Sequence, residues 1–334
     1  MKLFIKYLDP TYPVIDLLRG ANRFNESDTK GLIDPFLVKN EDKADVYLIA
    51  HDAIHFGHSK NQIIELERLS IAKPVILFDC GDYPINIKLK NVISLRTNFP
   101  PNEDFSNAIA IPYNVKSRAH LPIREYKTLP TISFAGFAPR VISRRLIPKS
   151  FNTALHPIIN NGSIVRFFGI RKISKFTNKI LIVRNHYGGA RSLIEDLPKF
   201  ESEYEESITN SDFVFTPRGD ANQSARYFEV LSAGRVPILP DTSAILPRLI
   251  YPNYSPIALT VNATSKNLRA KVEEFWISLN PRKWQEIQTQ NRATFAKNYD
   301  FRIFMTNLFS GTFEQFLEYV ISANDSQEGI LSEK

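Results

Sequence analysis

Short apolar runs alternate with longer amphipathic segments along the first part of the chain. MKLFIKYLDP predicts a first strand at the start, and ADVYLIA (44–50) predicts a buried one. SKNQIIELERLSIA (59–72) carries apolar residues at helical spacing and predicts a helix. Further strands are predicted by PVILFD (74–79), VISLR (92–96) and AIAIPY (108–113). This alternation of strand and helix indicates a parallel α/β sheet.

A second series follows the polar, proline-bearing stretch at 116–130. Its predicted strands are 131–136, 164–169, 212–217 and 236–240, with helices between them. From about residue 265 the pattern is helical. We therefore predict an α/β fold with two Rossmann-like domains and a helical C-terminal tail. The predicted boundaries are 1–122 for the first domain, 128–300 for the second, and 301–334 for a C-terminal helix that packs back on the first domain and ends in a frayed tail.

Composition agrees with two folded domains. The chain has 334 residues, 43% of them hydrophobic and 12% aromatic, so each half can bury a core. It has no run of 18 apolar residues and no signal peptide, so we expect neither a transmembrane helix nor secretion. The single cysteine, Cys80, excludes an intrachain disulfide and most cysteine-based metal sites. A cytoplasmic location is the prediction.

Net charge narrows the range of partners. The chain carries +7 at pH 7, with a pI near 9.3. This balance suits nucleic acid, an anionic membrane surface or a phosphorylated small molecule. The basic residues are scattered, and the sequence has no zinc finger, RNP motif or basic-region heptad, which disfavours nucleic acid. Peripheral contact with an anionic membrane stays an open alternative.

Charge concentrates in the stretch FTPRGDANQSARYFEVLSAGRVPILPD (215–241). A strand is expected to end there in a polar turn, and a helix begins near Ser224 or Asn222, the two candidates for its N-cap. Gly234 stands where a helix end favours a left-handed residue. The helix N-terminus therefore faces the carboxyl ends of the parallel strands, where open α/β sheets bind ligands.

An anion in that crevice would meet backbone N–H groups and the positive end of the helix dipole, with Arg218 and Arg226 close by. Glu229 lies three residues after Arg226 and shares its helix face. Its carboxylate can accept hydrogen bonds from the two vicinal hydroxyls of a ribose. Together these residues predict a nucleotide-sugar site. The alternative is a solvated Arg226–Glu229 helix pair beside an ordinary tight turn.

The slightly longer stretch 211–241 resembles the C-terminal signature of the exostosin family of glycosyltransferases, P-R-G-D-x-x-x-S-x-R-x-[FY]-E followed by G-x-x-P-[VI]. The matching residues are Pro217, Arg218, Gly219, Asp220, Ser224, Arg226, Phe228, Glu229, Gly234, Pro237 and Ile238. The resemblance extends more weakly to ILPRLIYPNYSPIAL (245–259), ISFAGFAPRVISRR (132–145) and ADVYLIA (44–50). The first hundred residues carry almost no signature.

This resemblance implies a GT-B architecture, with two Rossmann-like domains facing a cleft. The donor nucleotide would bind the C-terminal domain and the acceptor the N-terminal one. The family uses UDP-sugars, inverts the anomeric centre and needs no metal-chelating D-x-D. This chain has no D-x-D at a predicted strand end. Without a metal, arginines and the helix N-terminus must stabilise the leaving diphosphate.

Further residues are predicted to bind the donor. Gly136 ends a strand where the backbone can approach phosphate or sugar closely, and Arg140 and Arg144 share a helical face that points the same way. Gly219 and Asn222 belong to the predicted turn. With Arg218, Ser224, Arg226 and Glu229 they complete the predicted donor site.

Inverting transfer needs a carboxylate or histidine to accept the proton of the acceptor hydroxyl. Two clusters follow predicted strands of the first domain: HDAIHFGH (51–58) and DCGDYP (79–84). Asp52 and Asp82 are the leading candidates for the base, with His51 beside them. The alternative is that these side chains are helix caps and loop polar groups. A metal site formed by the three histidines is disfavoured, because the loop offers neither cysteine nor a nearby glutamate.

The sequence therefore predicts a metal-independent, inverting glycosyltransferase that moves a sugar from a nucleotide-diphosphate donor, UDP-sugar favoured, to a glycan hydroxyl. No cofactor is expected. Three alternatives stay open: a different phosphorylated sugar donor, a non-catalytic nucleotide- or carbohydrate-binding module, and a binder of anionic polymers.

Overall fold

The computed structural model describes residues 1–6, 8, 31–49, 60–79, 87–99, 107–139, 161–185 and 196–332. The chain divides into two compact units: residues 1–116, 245–250 and 299–334 form the first, and residues 117–244 and 251–298 form the second. Each unit contains a five-stranded sheet in which neighbouring strands pair in parallel. The predicted α/β class with two Rossmann-like domains is confirmed.

The strands are β1 (Leu3–Lys6), β2 (Val46–Ile49), β3 (Val75–Asp79), β4 (Val92–Arg96), β5 (Ala108–Ala110), β6 (Ile132–Phe137), β7 (Lys179–Arg184), β8 (Phe213–Phe215), β9 (Val236–Asp241) and β10 (Leu259–Asn262). The α-helices of the described chain are α1 (Lys60–Ala72), α2 (Gly162–Ile173), α3 (Leu197–Thr209), α4 (Ala225–Ser232), α5 (Leu268–Ile277), α6 (Pro281–Thr294), α7 (Phe301–Ser310) and α8 (Phe313–Ser332). A π-helical turn at Phe295–Tyr299 follows α6, and short 3-10 turns lie at Asp34–Phe36 and Glu41–Lys43. Within the described ranges, every helix is too short or too polar to span a lipid bilayer.

Helices cover both faces of the first sheet, whose strands lie side by side in the order β1 to β5. Successive residues of a strand point to opposite faces. Val46 and Leu48 share a core with the apolar residues of α7 and α8, whereas Tyr47 and Ile49 pack with the buried leucines of α1. The C-terminal helices therefore belong to the first unit, and α8 continues into the segment that the sequence predicts to fray.

The second sheet contains a reversal of strand order. Its order is β10-β9-β8-β6-β7, so β7 is added on one side of β6 and β8 on the other. This is the doubly wound 2-1-3-4-5 arrangement, in which ligands bind at the carboxyl ends of the two strands flanking the reversal. β6 and β8 pair only at Ile132–Phe213 and Ser133–Val214, while β6 continues in register with β7 as far as Phe137. The described strands of the first sheet show no such reversal.

The strand predicted at 164–169 is wrong, because this segment lies inside α2. The Asn161 side chain accepts hydrogen bonds from the backbone N–H groups of Ser163 (3.0 Å) and Ile164 (3.2 Å), which starts the helix. Two further strands, β7 and β10, lie at positions where the sequence analysis placed none.

The second unit begins at residue 117, although residues 117–122 were expected in the first domain. Several contacts attach this segment to the second unit, among them a backbone hydrogen bond and an apolar cluster. The backbone N–H of Arg118 donates to Ser232 Oγ at 3.0 Å, and Leu121 packs with Ile208 and Ala233.

Candidate functional site

The candidate site lies at the carboxyl ends of β6 and β8, on either side of the strand reversal. β6 ends in Gly136 and Phe137, and β8 leads into the turn 216–224 and then into α4. The helix predicted to begin near Ser224 and to end before Gly234 is confirmed as α4, and Gly234 adopts the expected positive φ of 75°. The positive end of α4 therefore faces the ligand-binding edge of the sheet.

Arg218 stabilises the turn that contains it. Its side chain is buried, with 6% of the residue exposed, and Nη2 donates to the carbonyl oxygen of Asp220 at 2.8 Å. Nε also reaches the carbonyl oxygen of Gly219 at 3.4 Å. Burial, partly offset by Asp220 and reinforced by the positive charge of Arg166, lowers the pKa of Arg218 to about 10. The guanidinium still carries its charge at neutral pH.

Asn222 and Ser224 have different structural roles. Asn222 is buried, and its Nδ2 donates to the carbonyl oxygens of Thr242 (3.0 Å) and Ser243 (3.2 Å), which ties the turn to the end of β9. Ser224 is the N-cap residue of α4, with an extended backbone, but its side chain makes no capping hydrogen bond. The Ser224 hydroxyl therefore does not compete with a ligand for the N–H groups of the first turn.

Arg226 reaches from α4 to the end of β6. Its Nη2 donates to the carbonyl oxygen of Ala135, its Nε donates to the hydroxyl of Tyr204 at 3.3 Å, and its guanidinium lies 4.8 Å from the centre of the Phe134 ring. Gly136 has a φ of +155°, and a Cβ at this position would lie 2.9 Å from Arg226 Nη2. Glycine thus allows both the backbone conformation and the close approach of the guanidinium.

Glu229 is buried in a hydrogen-bond network rather than paired directly with Arg226. Its Oε1 accepts from Arg118 Nη2 at 3.2 Å, and its Oε2 accepts from the hydroxyl of Tyr204. Because Tyr204 also accepts from Arg226, the tyrosine joins the two helix residues that share a face. A carboxylate can accept about four hydrogen bonds, so these two contacts do not exhaust its capacity.

Charge within the network is balanced by Arg118. Its Nη1 forms an ion pair with Glu205 at 2.9 Å. Burial opposes the charged state of Arg118, but Glu229, Tyr204 and Glu205 outweigh it and raise its pKa above the ordinary value. Burial and the negative charge of Glu229 raise the pKa of Tyr204 well above its ordinary range, so its hydroxyl stays protonated and donates to Glu229.

Arg166 connects the two strand ends. Its Nε donates to the carbonyl oxygen of Arg218 at 3.1 Å and its Nη1 to that of Phe137 at 3.4 Å. The first residue of α2, Gly162, lies so close to the Arg218–Gly219 backbone that a Cβ would overlap the carbonyl oxygen of Gly219. The amino end of α2 is therefore packed directly on the turn.

Sequence reasoning missed Arg118, Tyr204 and Arg166. Arg166 fell in the segment wrongly predicted as a strand, and Arg118 in the polar, proline-bearing stretch at 116–130. Tyr204 lies on the amphipathic helix α3, where nothing in its spacing separates it from a core residue. A helical interpretation of 162–173 would have placed Arg166 two turns or less from the α2 N-terminus, at the ligand-binding edge.

Five predicted residues lie outside the described residues: His51, Asp52, Asp82, Arg140 and Arg144. Their roles stay predictions. Among the residues that are described, no group of three or more His, Cys, Asp or Glu side chains is placed to hold a metal ion.

The arrangement can receive an anion. The guanidinium groups of Arg166, Arg218 and Arg226 and the amino end of α4 converge on the edge where β6 and β8 end. Several of their hydrogen bonds go to neutral carbonyl oxygens. Glu229 adds a buried acceptor one turn into the helix.

Comparison with known proteins gives distant structural likenesses. No family model and no curated protein matches the chain. A glycosyltransferase from Rickettsia africae is 12% identical over 95% of this chain and 98% of that chain, with a TM-score of 0.42. HepE from Anabaena, solved with UDP-glucose, is 10% identical over 99% of each chain (TM-score 0.37), and MnaA from S. aureus, solved with UDP, is 11% identical over 96% and 98% (TM-score 0.38). All three TM-scores lie below 0.5.

Proposed function

We propose that the chain is a glycosyltransferase that moves a sugar from a nucleotide-diphosphate donor to a glycan hydroxyl. The observation that carries this proposal is the convergence of the Arg218 turn, the Gly136 strand end and the amino end of α4 at the strand reversal of the second sheet. In doubly wound sheets this is the position of nucleotide binding. The resemblance of residues 211–241 to the exostosin signature supports the same class and favours a UDP-sugar.

In this proposal the diphosphate binds Arg218, Arg226 and the first-turn N–H groups of α4. The positive groups stabilise the charge that develops on the diphosphate as the glycosidic bond to the donor breaks. Glu229 accepts from the ribose hydroxyls with its remaining lone pairs. The other predicted donor-side residues are Gly136, Arg140, Arg144, Gly219, Asn222 and Ser224.

The proposed transfer inverts the anomeric centre and needs no metal or other cofactor, as the family resemblance implies. Asp52, Asp82 or His51 accepts the proton of the attacking glycan hydroxyl. The arginines and the helix amino end supply the electrostatic stabilisation that a metal ion provides in other transferases.

Turnover of site variants tests the proposal. Purified protein is assayed with a panel of UDP-, GDP- and CMP-sugars and oligosaccharide acceptors, with and without EDTA. Arg218→Ala and Glu229→Gln should each lower turnover at least 100-fold, while Arg282→Ala, which removes an exposed arginine of α6, should leave it unchanged. Near wild-type rates in both folded site variants would refute the assignment.

Ligand binding separates the alternatives. Thermal shifts with UDP, GDP, CMP and phosphoribosyl pyrophosphate identify the donor class, because a ligand that binds the native state raises the midpoint temperature of unfolding. A non-catalytic module binds a nucleotide without turnover. A binder of anionic polymers loses affinity steeply with salt and is not displaced by nucleotides.

We propose a cytoplasmic location and, from the net charge of +7, peripheral contact with an anionic membrane. Co-sedimentation with phosphatidylserine vesicles that disappears at high salt would support the contact. Equal recovery with neutral vesicles would argue against it.

A further inference from the structure

Two hydrogen bonds hold Arg166 at the strand reversal of the second sheet. One nitrogen of its guanidinium donates to the backbone that follows β8, at Arg218, and another donates to the last residue of β6, Phe137. The third, Nη2, lies over Gly219, where a Cβ would be 3.2 Å from it. A single side chain thus spans both strand ends and the glycine of the turn.

The surroundings of Arg166 raise the positive potential at this point. The positive charge of Arg166 contributes to the lowered pKa of Arg218, so the two guanidinium groups repel each other. The amino end of α2 adds a further partial positive charge, because Gly162 packs against the Arg218–Gly219 backbone. A bound dianion would be attracted to both guanidinium groups and to this helix end.

Arg218 and Arg166 differ in how much of the side chain is exposed to solvent. Arg218 is 6% exposed and directs Nη2 at the carbonyl oxygen of Asp220, so only a small part of its side chain reaches the surface. Arg166 is only partly buried. Gly219 carries no side chain that would separate Arg166 Nη2 from a ligand on the turn, and glycine is the residue that lets a backbone approach a phosphate closely.

We propose that Arg166 binds the diphosphate of the donor directly, with Nη2 donating to a phosphate oxygen above Gly219. This inference rests on the proposed function, because it assigns a further residue to the same donor site. Arg166 contacts the leaving group, while its Nε and Nη1 remain on the strand ends and fix its orientation. A lysine would keep the charge but could not make the bridging contacts.

A purely structural role for Arg166 makes a different prediction. If the side chain only holds the strand ends together, its removal should lower the affinity for every ligand of the site to the same degree. If it binds phosphate, the loss of affinity should grow with the phosphate content of the ligand. The decisive quantity is therefore the ratio of affinities for ligands with and without phosphate.

The experiment measures the affinities of UDP, inorganic pyrophosphate and uridine by calorimetry for wild type, Arg166→Gln, Arg166→Lys and Arg171→Gln. Arg171 is the matched control, because it is an exposed arginine on the same helix that lies 5.3 Å from the centre of the Phe167 ring. We expect Arg166→Gln to lower the affinities for UDP and pyrophosphate about 10- to 100-fold, because a charged hydrogen bond is lost. Uridine affinity should change less than about twofold, Arg166→Lys should be intermediate, and Arg171→Gln should match wild type.

Two results would overturn the inference: UDP affinity within twofold of wild type in folded Arg166→Gln, or an equal loss for UDP and uridine. If Arg166→Gln does not fold, the ratio of UDP affinity to uridine affinity is measured for Arg166→Lys instead. An unchanged ratio in that variant would overturn the inference. Wild type that binds pyrophosphate but transfers no sugar would overturn the proposed function alone. Wild type that transfers sugar while Arg166→Gln keeps its UDP affinity would overturn this inference alone, and wild type that binds neither UDP nor pyrophosphate would overturn both.

Discussion

Gly162, at the start of α2, packs against the carbonyl oxygen of Gly219 so closely that no side chain fits between the two residues. The obstacle to a Cβ on Gly162 is backbone, which cannot move without shifting the turn or the helix. We expect Gly162→Ala to lower the free energy of unfolding by about 1 to 3 kcal/mol, measured by urea denaturation.

Gly219→Ala is the matched control for this contact. A Cβ on Gly219 meets the flexible end of Arg166 instead, at 3.2 Å from Nη2. The side chain can move aside, so stability should change by less than about 1 kcal/mol, since surface changes are usually small. Displacing Arg166 should nevertheless weaken UDP binding. Equal loss of stability in both variants would contradict the close backbone contact.

Tyr204→Phe removes the hydroxyl that joins Glu229 to Arg226. A buried carboxylate oxygen loses its donor and a guanidinium Nε loses its acceptor. Because both groups are charged, we expect the free energy of unfolding to fall by about 1.5 to 3 kcal/mol. Urea denaturation at pH 7 measures the change.

Tyr126→Phe serves as the control, because it removes a hydroxyl that donates to a neutral acceptor, the carbonyl oxygen of Trp276, at 3.3 Å. The ring of Tyr126 stays stacked on Trp276, with centroids 4.7 Å apart. The expected loss is about 1 kcal/mol. A larger loss for Tyr126→Phe than for Tyr204→Phe would argue against the charged network.

High pH should destabilise the second unit through Tyr204. Burial and Glu229 raise its pKa in the folded state above the ordinary value of 10.0. Between the unfolded and folded pKa values the unfolded state has lost the proton that the folded state keeps, so stability falls as pH rises. Below pH 10 this contribution is fully present.

For this one tyrosine, the free energy of unfolding should fall by at most about 1.4 kcal/mol per pH unit. Urea midpoints between pH 9 and 11.5 for wild type and Tyr204→Phe measure it. The variant should show the shallower decline above pH 10. Parallel curves would contradict a raised pKa of Tyr204 in the folded state.

Asp212 stabilises the amino end of β8, opposite the candidate site. It is fully buried, accepts from Arg124 Nε at 2.6 Å and from the backbone N–H of Thr131 at 2.7 Å, and offsets the positive charge around buried Arg235. Asp212→Asn leaves half-buried Arg124 without its carboxylate and removes the negative charge that acts on buried Arg235. The free energy of unfolding should fall by about 3 to 5 kcal/mol.

The control for Asp212→Asn is Glu273→Gln, which breaks an exposed pair with Arg269 on α5 and should have little effect. Folded Asp212→Asn should still bind UDP with wild-type affinity, because the ion pair lies at the other end of the strand. A selective loss of UDP affinity would show instead that Asp212 acts on the candidate site.

The sequence predicted the region around α4 well because its signals are local. A buried strand, a polar turn, an N-cap at Ser224 and a left-handed Gly234 all lie within one short segment, and each has its own physical cause. The same holds for β6, whose apolar run ends in Gly136. Such elements depend little on the remainder of the fold.

The network around Glu229 could not be predicted in the same way. Arg118 and Glu229 are 111 residues apart, and only the folded second unit brings them together. The error at 164–169 had a different origin: β-branched and aromatic residues favour a strand, whereas tertiary packing and the Asn161 cap favour a helix. Because of that error, Arg166 was not predicted as a residue of the candidate site.

The discontinuous composition of the two units affects how the protein is synthesised. The chain leaves the first unit after residue 116, returns briefly at 245–250, and comes back for good only at 299. During translation the face of the first sheet that α7 and α8 finally cover stays bare until the whole second unit has emerged from the ribosome. The nascent polypeptide thus presents an aggregation-prone surface throughout this interval, and cutting the gene after codon 116 would leave that surface permanently uncovered.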